Sequence, residues 1–296
     1  MKCEEIEKIM DFAYGYLILK SYFFLLKTEL RNEEYPNKEY LKKWREFLDE
    51  VDYNVLLNEA FMKIKNAVNG SSLDIYDNLD KASYFALIHP NHPSITLGFI
   101  KDADLWDVWL HNQPFDIIRD AVADNLSLAD GDKVIDFGCG SVSPVYYGSI
   151  VGPNGIYTGI DYSKPLLDIA EARVKEQKLD WVRLRHARVD SKLLFKRTYD
   201  YVVCTSILEY IENTRAVLRN AAEALNYDGV MIVFSKLFKD LEPEKYGLMK
   251  LYYSLIPSFN DFPSVSEILK ALDSMGIDYG YKQLSKHFLR IEFKGR

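Results

Sequence analysis

Cysteine is scarce in this sequence, which has three among 296 residues, at positions 3, 139 and 204. Thiols so few and so far apart provide neither a disulfide framework nor a thiolate zinc site. We therefore expect free thiols and a reducing, cytoplasmic compartment. No metal site is expected, because the pair His89 and His92 has no third and fourth ligand at a suitable spacing. An ordinary loop is the expected setting of that pair.

Long apolar runs are also missing. The longest near the start, residues 12–26, is interrupted by Lys20 and Ser21 and falls short of the roughly 20 apolar residues that cross a bilayer. It lacks the small-residue cleavage site of a signal peptide. We expect no membrane span and a buried or interfacial helix here, with attachment to a membrane surface as the alternative.

Basic residues are outnumbered by acidic ones. The chain contains 37 Lys and Arg and 44 Asp and Glu, which gives a net charge of −7. Proteins that bind nucleic acid over a wide face present a basic surface instead. Nucleic acid is therefore not the expected partner. Residues 1–112 carry most of the excess, with 13 basic and 19 acidic residues, which indicates a part of different character.

Residues 1–112 are predicted to form a mainly helical domain. Apolar residues recur there every three or four positions, as at Ile6, Ile9, Ala13 and Leu17, which is the helix period. From residue 113 to residue 296 the pattern changes to short apolar runs alternating with helices. That alternation predicts an α/β fold, a doubly wound and mostly parallel sheet with all strand carboxyl ends along one rim, where ligands bind.

The predicted sheet has seven strands and closes with an antiparallel hairpin. A capping box at 264–267 opens the last helix, and residues 237–262 are predicted to form a capping insert. Ser143 is predicted as the N-cap of the helix that follows the first strand, with Pro144 in its first turn. Strands are expected at 133–137, 156–160, 181–186, 201–205, 230–235, 278–283 and 288–293, and helices at 114–126, 164–176 and 213–225.

A strand that runs into a glycine turn is the most specific motif, at residues 134–140. Glycines let a backbone approach a ligand closely, as in dinucleotide-binding loops. However, Ser143 occupies the place of the third glycine of that pattern. Asp136, two residues before Gly138, would repel a pyrophosphate but suits a cationic amino group.

A second acid, Asp161, ends the second predicted strand. An acid at that place can accept hydrogen bonds from both hydroxyls of a ribose. An amino group at the first loop and a ribose at the second describe S-adenosylmethionine.

Residues 113–296 resemble the class I S-adenosylmethionine-dependent methyltransferases, through four motifs in their usual order. Residues 134–140 resemble the glycine-rich first motif, and residues 159–163 the ribose-binding second motif. Residues 199–210 resemble the fourth-strand motif, and residues 225–233 the turn and fifth strand. The resemblance implies a Rossmann-like fold, S-adenosylmethionine as cofactor and methyl transfer as the activity.

The resemblance also implies roles for individual residues. Gly138, Cys139 and Gly140 would leave space for the methionine part of the cofactor, with Asp136 near its ammonium. The ribose, adenine and sulfonium would be contacted by the residues that follow the second and fourth strands, namely Asp161, Tyr162, Thr205 and Ser206.

The third motif departs from the family pattern, which often has an acid after the third strand to accept from the adenine amino group. Residues 186–190 read His-Ala-Arg-Val-Asp. Either Asp190 serves from one short loop later, or His186 and the backbone of Ala187 do. Asp200 is predicted to contact a nearby backbone group, with cofactor binding as the alternative. The basic residues between 183 and 197 are predicted to protect an edge strand, with phosphate contact as the alternative.

Catalysis would consist mainly of in-line positioning, with a general base for some acceptors. Candidate groups near the mouth are Glu209 and Tyr210 after the fourth strand, and Tyr147, or its neighbour Tyr146, after the first motif. The helical domain and the insert would form a lid and pocket.

A small-molecule acceptor, methylated at O, N or C, is the first expectation. The Asn/Asp-Pro-Pro-aromatic motif of enzymes acting on base or amide nitrogens is absent, since residues 204–207 read Cys-Thr-Ser-Ile. The alternatives are a protein or RNA methyltransferase, or a cofactor-binding protein that is regulatory or uses another group of the same cofactor. The sequence predicts no particular oligomeric state.

Overall fold

The computed structural model describes residues 99–111, 115–237 and 258–294, together with Glu7, Glu46, Lys239, Tyr246 and Lys250. The helices predicted before residue 99, the His89–His92 loop, Cys3 and most of the insert at 237–262 lie outside the described residues. The part that is described contains the whole predicted sheet and two helices that precede it.

The elements alternate in the predicted way. The helices are α1 (Ala103–Leu110), α2 (Phe115–Leu126), α3 (Ser143–Val151), α4 (Lys164–Glu176), α5 (Thr214–Ala224) and α6 (Val265–Ser274). The strands are β1 (Lys133–Phe137), β2 (Ile156–Asp161), β3 (Val182–His186), β4 (Tyr199–Thr205), β5 (Leu225–Phe234), β6 (Tyr279–Gln283) and β7 (Phe288–Phe293). A single 3-10 turn, Leu208–Tyr210, follows β4.

The seven strands form one sheet in the order β3-β2-β1-β4-β5-β7-β6. The first five strands are parallel, and β7 runs antiparallel to both β5 and β6. This confirms the predicted fold class, including the closing hairpin and the position of β3 at an edge. The chain order reverses between β1 and β4, so the carboxyl ends of those two strands mark the switch point where ligands bind.

Helices cover both faces of the sheet, and successive strand residues alternate between two cores. Val134 packs in one core with α2 and α3, while its neighbour Ile135 packs in the other with α5 and α6. Val203 and Val202 in β4 divide in the same way. A strand buried on both faces is mostly apolar. β1 has its predicted ends, and Asp136 is its one buried charged residue.

Side-chain capping marks the start of α4, α5 and α6 but not that of α3. Ser264 and Glu267 form the predicted capping box at α6, and Ser163 caps α4. The prediction that Ser143 caps α3 is wrong by one position, because Val142 precedes the helix and makes no side-chain cap hydrogen bond. The glycine turn brings the chain into the helix one residue earlier, so Ser143 is already in the first turn.

Within the described ranges, no helix is both long enough and apolar enough to cross a membrane.

Candidate functional site

The glycine turn after β1 lies at the switch point of the sheet. Gly138 and Gly140 have φ angles of +78° and +58°, a region that favours glycine. A Cβ atom at Gly138 would also overlap Cγ2 of Ile207, in the loop after β4. The Gly138 amide ties the turn to β2 by donating a hydrogen bond to the Ile160 carbonyl at 2.7 Å. Glycine is therefore required at 138 by both backbone angle and space.

Asp161 joins the first predicted motif to the second. Its Oδ2 accepts from the Gly140 amide and its Oδ1 from the Ser163 amide, both at 2.8 Å. Its burial raises the carboxyl pKa, against the lowering effect of these amides. The carboxylate thus lies between the glycine turn and the start of α4, and each oxygen keeps further acceptor capacity.

Asp136 is fully buried beneath the turn. Tyr157 donates its hydroxyl to Oδ2 at 2.7 Å, while Oδ1 has no hydrogen-bond partner among the described residues. Burial raises the pKa of Asp136 to about 7, and the nearby Asp161 charge acts in the same direction. A buried carboxylate oxygen without a donor is costly. An ammonium group at this place would supply the missing donor.

The loop after β3 shows how the third motif departs from the family pattern. The Ala187 amide donates to the Asp161 carbonyl at 2.9 Å, so Ala187 lies beside the ribose candidate. Asp190 instead receives two hydrogen bonds from Arg188, at 3.0 and 2.9 Å. The His186 ring lies 2.8 Å from the carbonyl oxygen of Tyr162. The backbone of Ala187 thus contacts Asp161, and His186 is the residue of β3 that pairs with Asp161 in the sheet.

The loop after β4 brings Thr205 and Ser206 to the same rim, both half-buried. Ser206 has a φ of +53°, uncommon for a residue with a side chain, and its amide donates to the Phe234 carbonyl at 2.8 Å. Two of the three catalytic candidates, Glu209 and Tyr210, follow in the 3-10 turn. Tyr147 is not brought there.

Tyr147 is fully buried in the core between α3 and the sheet. Its ring stacks on Tyr157 with centroids 6.3 Å apart, and burial raises the pKa of its hydroxyl well above the usual value. Its neighbour Tyr146 is bonded to Asp120. Neither hydroxyl is placed at the rim with Glu209 and Tyr210.

Residues 99–111, which we call the clasp, pack on the segments that follow β1 and β2. Asp107 accepts from Ser141 Oγ at 2.6 Å and from two nitrogens of Arg173 at 2.6 and 2.7 Å. Ser163 donates its hydroxyl to the Phe99 carbonyl. Burial acts to raise the pKa of Asp107, but the hydrogen bonds from Arg173 and Ser141 outweigh it and lower that pKa. The sequence patterns did not single out this contact.

A row of aromatic rings, which we call the aromatic row, crosses the rim. Phe99 of the clasp contacts Trp106 at 4.5 Å, Tyr162 at 6.2 Å and Tyr210 at 4.9 Å between centroids. Tyr210 in turn contacts Phe259 at 6.3 Å. Phe259 contacts Phe262 at 5.0 Å. The row draws on four separate chain segments and runs from the end of β2 to the end of β5.

Glu209 and Lys236 form a buried ion pair at one end of this row. Their side chains are 1% and 6% exposed, and Nζ lies 3.7 Å from Oε1. Ser235 Oγ donates to Oε2 of Glu209 at 2.8 Å. Lys236 was not among the predicted site residues, although a lysine two residues after a strand whose last six residues are buried was a usable signal.

Asp200 and the two described cysteines have the predicted surroundings. Asp200 accepts from the Lys133 amide at 3.1 Å and from Asn226 Nδ2 at 2.8 Å, which confirms its contact with backbone. Cys139 and Cys204 are free, as predicted, and are buried. Among the residues that the structure describes, no cluster of His, Cys, Asp or Glu could hold a metal ion.

Comparison with known proteins gives consistent matches. The family model described as a methyltransferase domain matches residues 135–231. An uncharacterised protein of Methanocaldococcus jannaschii is 30% identical over 271 residues, covering 88% of this chain and 74% of that protein. A ubiquinone biosynthesis O-methyltransferase of Coxiella burnetii is 27% identical over 183 residues, covering 55% of this chain and 71% of its own length.

One solved structure aligns with a large part of this chain. The crystal structure of a proposed S-adenosylmethionine-dependent methyltransferase of Methanococcus maripaludis aligns with a TM-score of 0.50 at 18% identity. The alignment covers 66% of this chain and 93% of that one. The two chains therefore share a fold.

Proposed function

The chain belongs to the class I S-adenosylmethionine-dependent methyltransferases, and we propose that its methyl acceptor is a small molecule bound along the aromatic row. The cofactor supplies a methyl group on a positively charged sulfur, which is already an activated leaving group. The protein's own tasks are then to hold the cofactor, to orient the acceptor and to manage the acceptor's proton.

We assign the cofactor contacts from the geometry of the rim. Asp136 would bind the ammonium group, because its buried Oδ1 has no other donor among the described residues. The turn at Gly138–Gly140 would lie against the methionine part, and Asp161 would accept from the ribose hydroxyls. The remaining contacts, to the adenine and sulfonium ends, are assigned to Tyr162, Ala187, Thr205 and Ser206.

The aromatic row is the observation that carries the proposal of a small acceptor. Phe99, Tyr210 and Phe259 are each partly exposed and meet edge to face at the rim. Aromatic side chains with a few polar groups among them are the usual lining of small-molecule sites. The clasp and the segment at 258–262 would narrow the rim from two sides, which suits a small ligand better than a wide macromolecular surface. The Coxiella burnetii relative, named for ubiquinone biosynthesis, supports an acceptor of this size and transfer to oxygen.

Roles for the two candidate groups at the rim follow from their surroundings. Tyr210 lies between two aromatic rings and would contact the body of the acceptor. The carboxylate of Glu209 would be the proton acceptor for a hydroxyl or amine nucleophile. Tyr147 is given no role, because its hydroxyl is buried in the core.

An acceptor panel tests the proposal. The full chain would be incubated with S-adenosylmethionine and either a panel of small hydroxylated, amino and carboxylate compounds or fractions of protein and RNA. Formation of S-adenosylhomocysteine would be followed in each case. We expect turnover with members of the small-molecule panel only. Turnover confined to protein or RNA would contradict the proposal.

A further inference from the structure

The buried Glu209–Lys236 pair needs a physical explanation. Removing two charges from water costs several kcal/mol for each ion, and replacing such a pair by apolar residues is often neutral or stabilising. A buried pair is therefore weak evidence of a stabilising role. The alternative is that the two charges act on a bound ligand.

The pair is only partly satisfied on the carboxylate side. Oε2 of Glu209 accepts from Ser235 Oγ at 2.8 Å. Oε1 accepts no hydrogen bond from a described residue, and the 3.7 Å to Lys236 Nζ exceeds hydrogen-bond length. One oxygen of this carboxylate thus keeps its capacity to accept a proton donor.

The pair also lies close to the place where the methyl acceptor is proposed to bind. β4 and β5 are neighbours, and Thr205 pairs with Phe234 at their carboxyl ends, so Lys236 follows β5 close to the loop that holds Ser206. Lys236 Nζ lies 5.4 Å from the ring centroid of Phe262, the buried ring at one end of the aromatic row. A flat ligand on the partly exposed rings of the row would therefore have one end directed towards the pair.

Resting on the proposed function, we propose that Glu209 and Lys236 bind the reacting hydroxyl of an acceptor that is a phenol or an enol. The carboxylate of Glu209 takes the hydroxyl proton, and the ammonium of Lys236 holds the oxygen as it becomes anionic. The acceptor oxygen forms the new bond to the methyl carbon while the carbon–sulfur bond breaks. The electron pair of that bond stays on sulfur and neutralises its charge, and the proton leaves Glu209 for solvent.

The signs of the two charges select this class of acceptor. A protonated amine would be repelled by the ammonium of Lys236, and a carboxylate acceptor has no proton for Glu209 to take at neutral pH. A phenol or enol needs both a proton acceptor and a cation beside its oxygen. The aromatic row then accommodates its flat apolar body.

The test follows the ionisation of a bound probe rather than turnover. 4-Nitrophenol, whose anion and neutral form absorb differently, would be titrated into the full chain loaded with S-adenosylhomocysteine, over a range of pH. A neighbouring cation lowers the pKa of an acid by about one unit or more. We expect the bound probe to ionise about one unit lower in the wild type than in Lys236→Met, which keeps the length of the side chain but not its charge.

Three further variants make the result specific. Lys236→Arg keeps the cation and should retain the low pKa of the bound probe. Glu209→Gln removes the competing negative charge and should lower that pKa further, a change opposite in sign to that of Lys236→Met. Lys270→Met, at an exposed position on α6, should leave it unchanged. Thermal unfolding of each variant identifies any that fails to fold. If Lys236→Met fails to fold, the inference is judged by Glu209→Gln, in which the pKa of the bound probe should be lower than in the wild type.

The outcomes separate this inference from the function on which it rests. If the wild type does not bind S-adenosylhomocysteine, the proposed function itself fails. If it does but the probe fails to bind, or its pKa is the same in the wild type, Lys236→Met and Glu209→Gln, the phenol or enol site is overturned and the methyltransferase remains. Shifts of opposite sign in the two variants support the inference.

Discussion

The carboxylate of Asp161 accepts a hydrogen bond from the backbone amide of Gly140 at 2.8 Å. The same carboxylate also receives the amide of Ser163 at the start of α4. One acidic side chain therefore fixes the glycine turn and the end of β2 relative to each other. Because both places are assigned to the same cofactor, damage to either is expected to affect the whole cofactor site.

Asp136→Asn should stabilise the protein while weakening cofactor binding. The pKa of Asp136 is raised to about 7 in the folded state, so the folded state binds a proton more tightly than the unfolded chain between about pH 4 and 7, and this group's contribution to stability falls as pH rises through that window. Above pH 7 the penalty is complete, up to about 4 kcal/mol for a shift of roughly three units.

Thermal unfolding at pH 5 and pH 8 checks this directly. Asn should raise the melting temperature more at pH 8 than at pH 5. Calorimetry at pH 8 should show affinity for S-adenosylmethionine reduced by roughly tenfold or more, since about 1.4 kcal/mol corresponds to a factor of ten. A variant less stable than the wild type at pH 8, with unchanged affinity, would remove Asp136 from the cofactor site.

Gly138→Ala should be far more harmful than Gly131→Ala. Both glycines have positive φ, but a Cβ at Gly131 meets open space while one at Gly138 would overlap Ile207. At Gly131 we expect alanine to lower the free energy of unfolding by about 1 kcal/mol, from backbone strain alone. At Gly138 the overlap with Ile207 is added, and we expect a decrease of roughly 3 kcal/mol. Urea unfolding measures both, and adding Ile207→Ala to Gly138→Ala should recover part of the loss.

Asp107→Asn should release the clasp. The change weakens the hydrogen bonds to Arg173 and Ser141, so we expect the free energy of unfolding to fall by about 1–3 kcal/mol. Hydrogen exchange should become faster at the amides of residues 99–111. The matched control is Asp168→Asn, also paired with a basic residue on α4 but at the surface, where the expected loss is below about 0.5 kcal/mol.

The clasp also has an expected pH dependence. The pKa of Asp107 is lowered in the folded state, so its contribution to stability is present above the unfolded pKa of 3.8 and is lost as pH falls through the lower folded value. Equal exchange rates in Asp107→Asn and the wild type at neutral pH would show that Asp107 does not hold the clasp.

Tyr210→Ala should impair acceptor binding but not cofactor binding. Removing the ring opens the aromatic row between Phe99 and Phe259, whereas Tyr210→Phe keeps both edge contacts. For an acceptor found by the panel, we expect Ala to raise KM by about tenfold or more and Phe by much less. The Kd of S-adenosylhomocysteine should stay the same in both. A loss of cofactor affinity in Tyr210→Ala would place this ring in the cofactor site instead.

Elements with local signals could be predicted closely from the sequence. The strand at Lys133–Phe137 and the helix at Lys164–Glu176 have the predicted bounds, since an apolar run between turns and a cap with proline in the first turn determine them locally. Strand β5 begins at Leu225 rather than at 230. Its first residues pair with Tyr199 across an irregularity, and no local pattern indicates such pairing.

The candidate site could be predicted where one motif defines it and not where distant segments meet. Asp161 and Gly140 each belong to a motif, whereas Asp107 and Arg173 are charges without periodicity, 66 residues apart. The choice between Tyr146 and Tyr147 depended on which residue of α3 faces the sheet, a matter of helix phase that adjacent tyrosines do not reveal. Lys236 becomes a candidate site residue only through its ion pair with Glu209, and that contact forms only in the folded chain.

The assignment of this rim as the cofactor site is tested by calorimetric titration of the full chain with S-adenosylmethionine and S-adenosylhomocysteine, with Asp161→Ala as the paired variant. We expect micromolar binding by the wild type. The affinity of the variant should be reduced at least about tenfold, because the ribose loses its acceptor and the glycine turn loses its anchor. Absence of binding by the folded wild type, or equal affinity in Asp161→Ala, would contradict the assignment of this rim as the cofactor site.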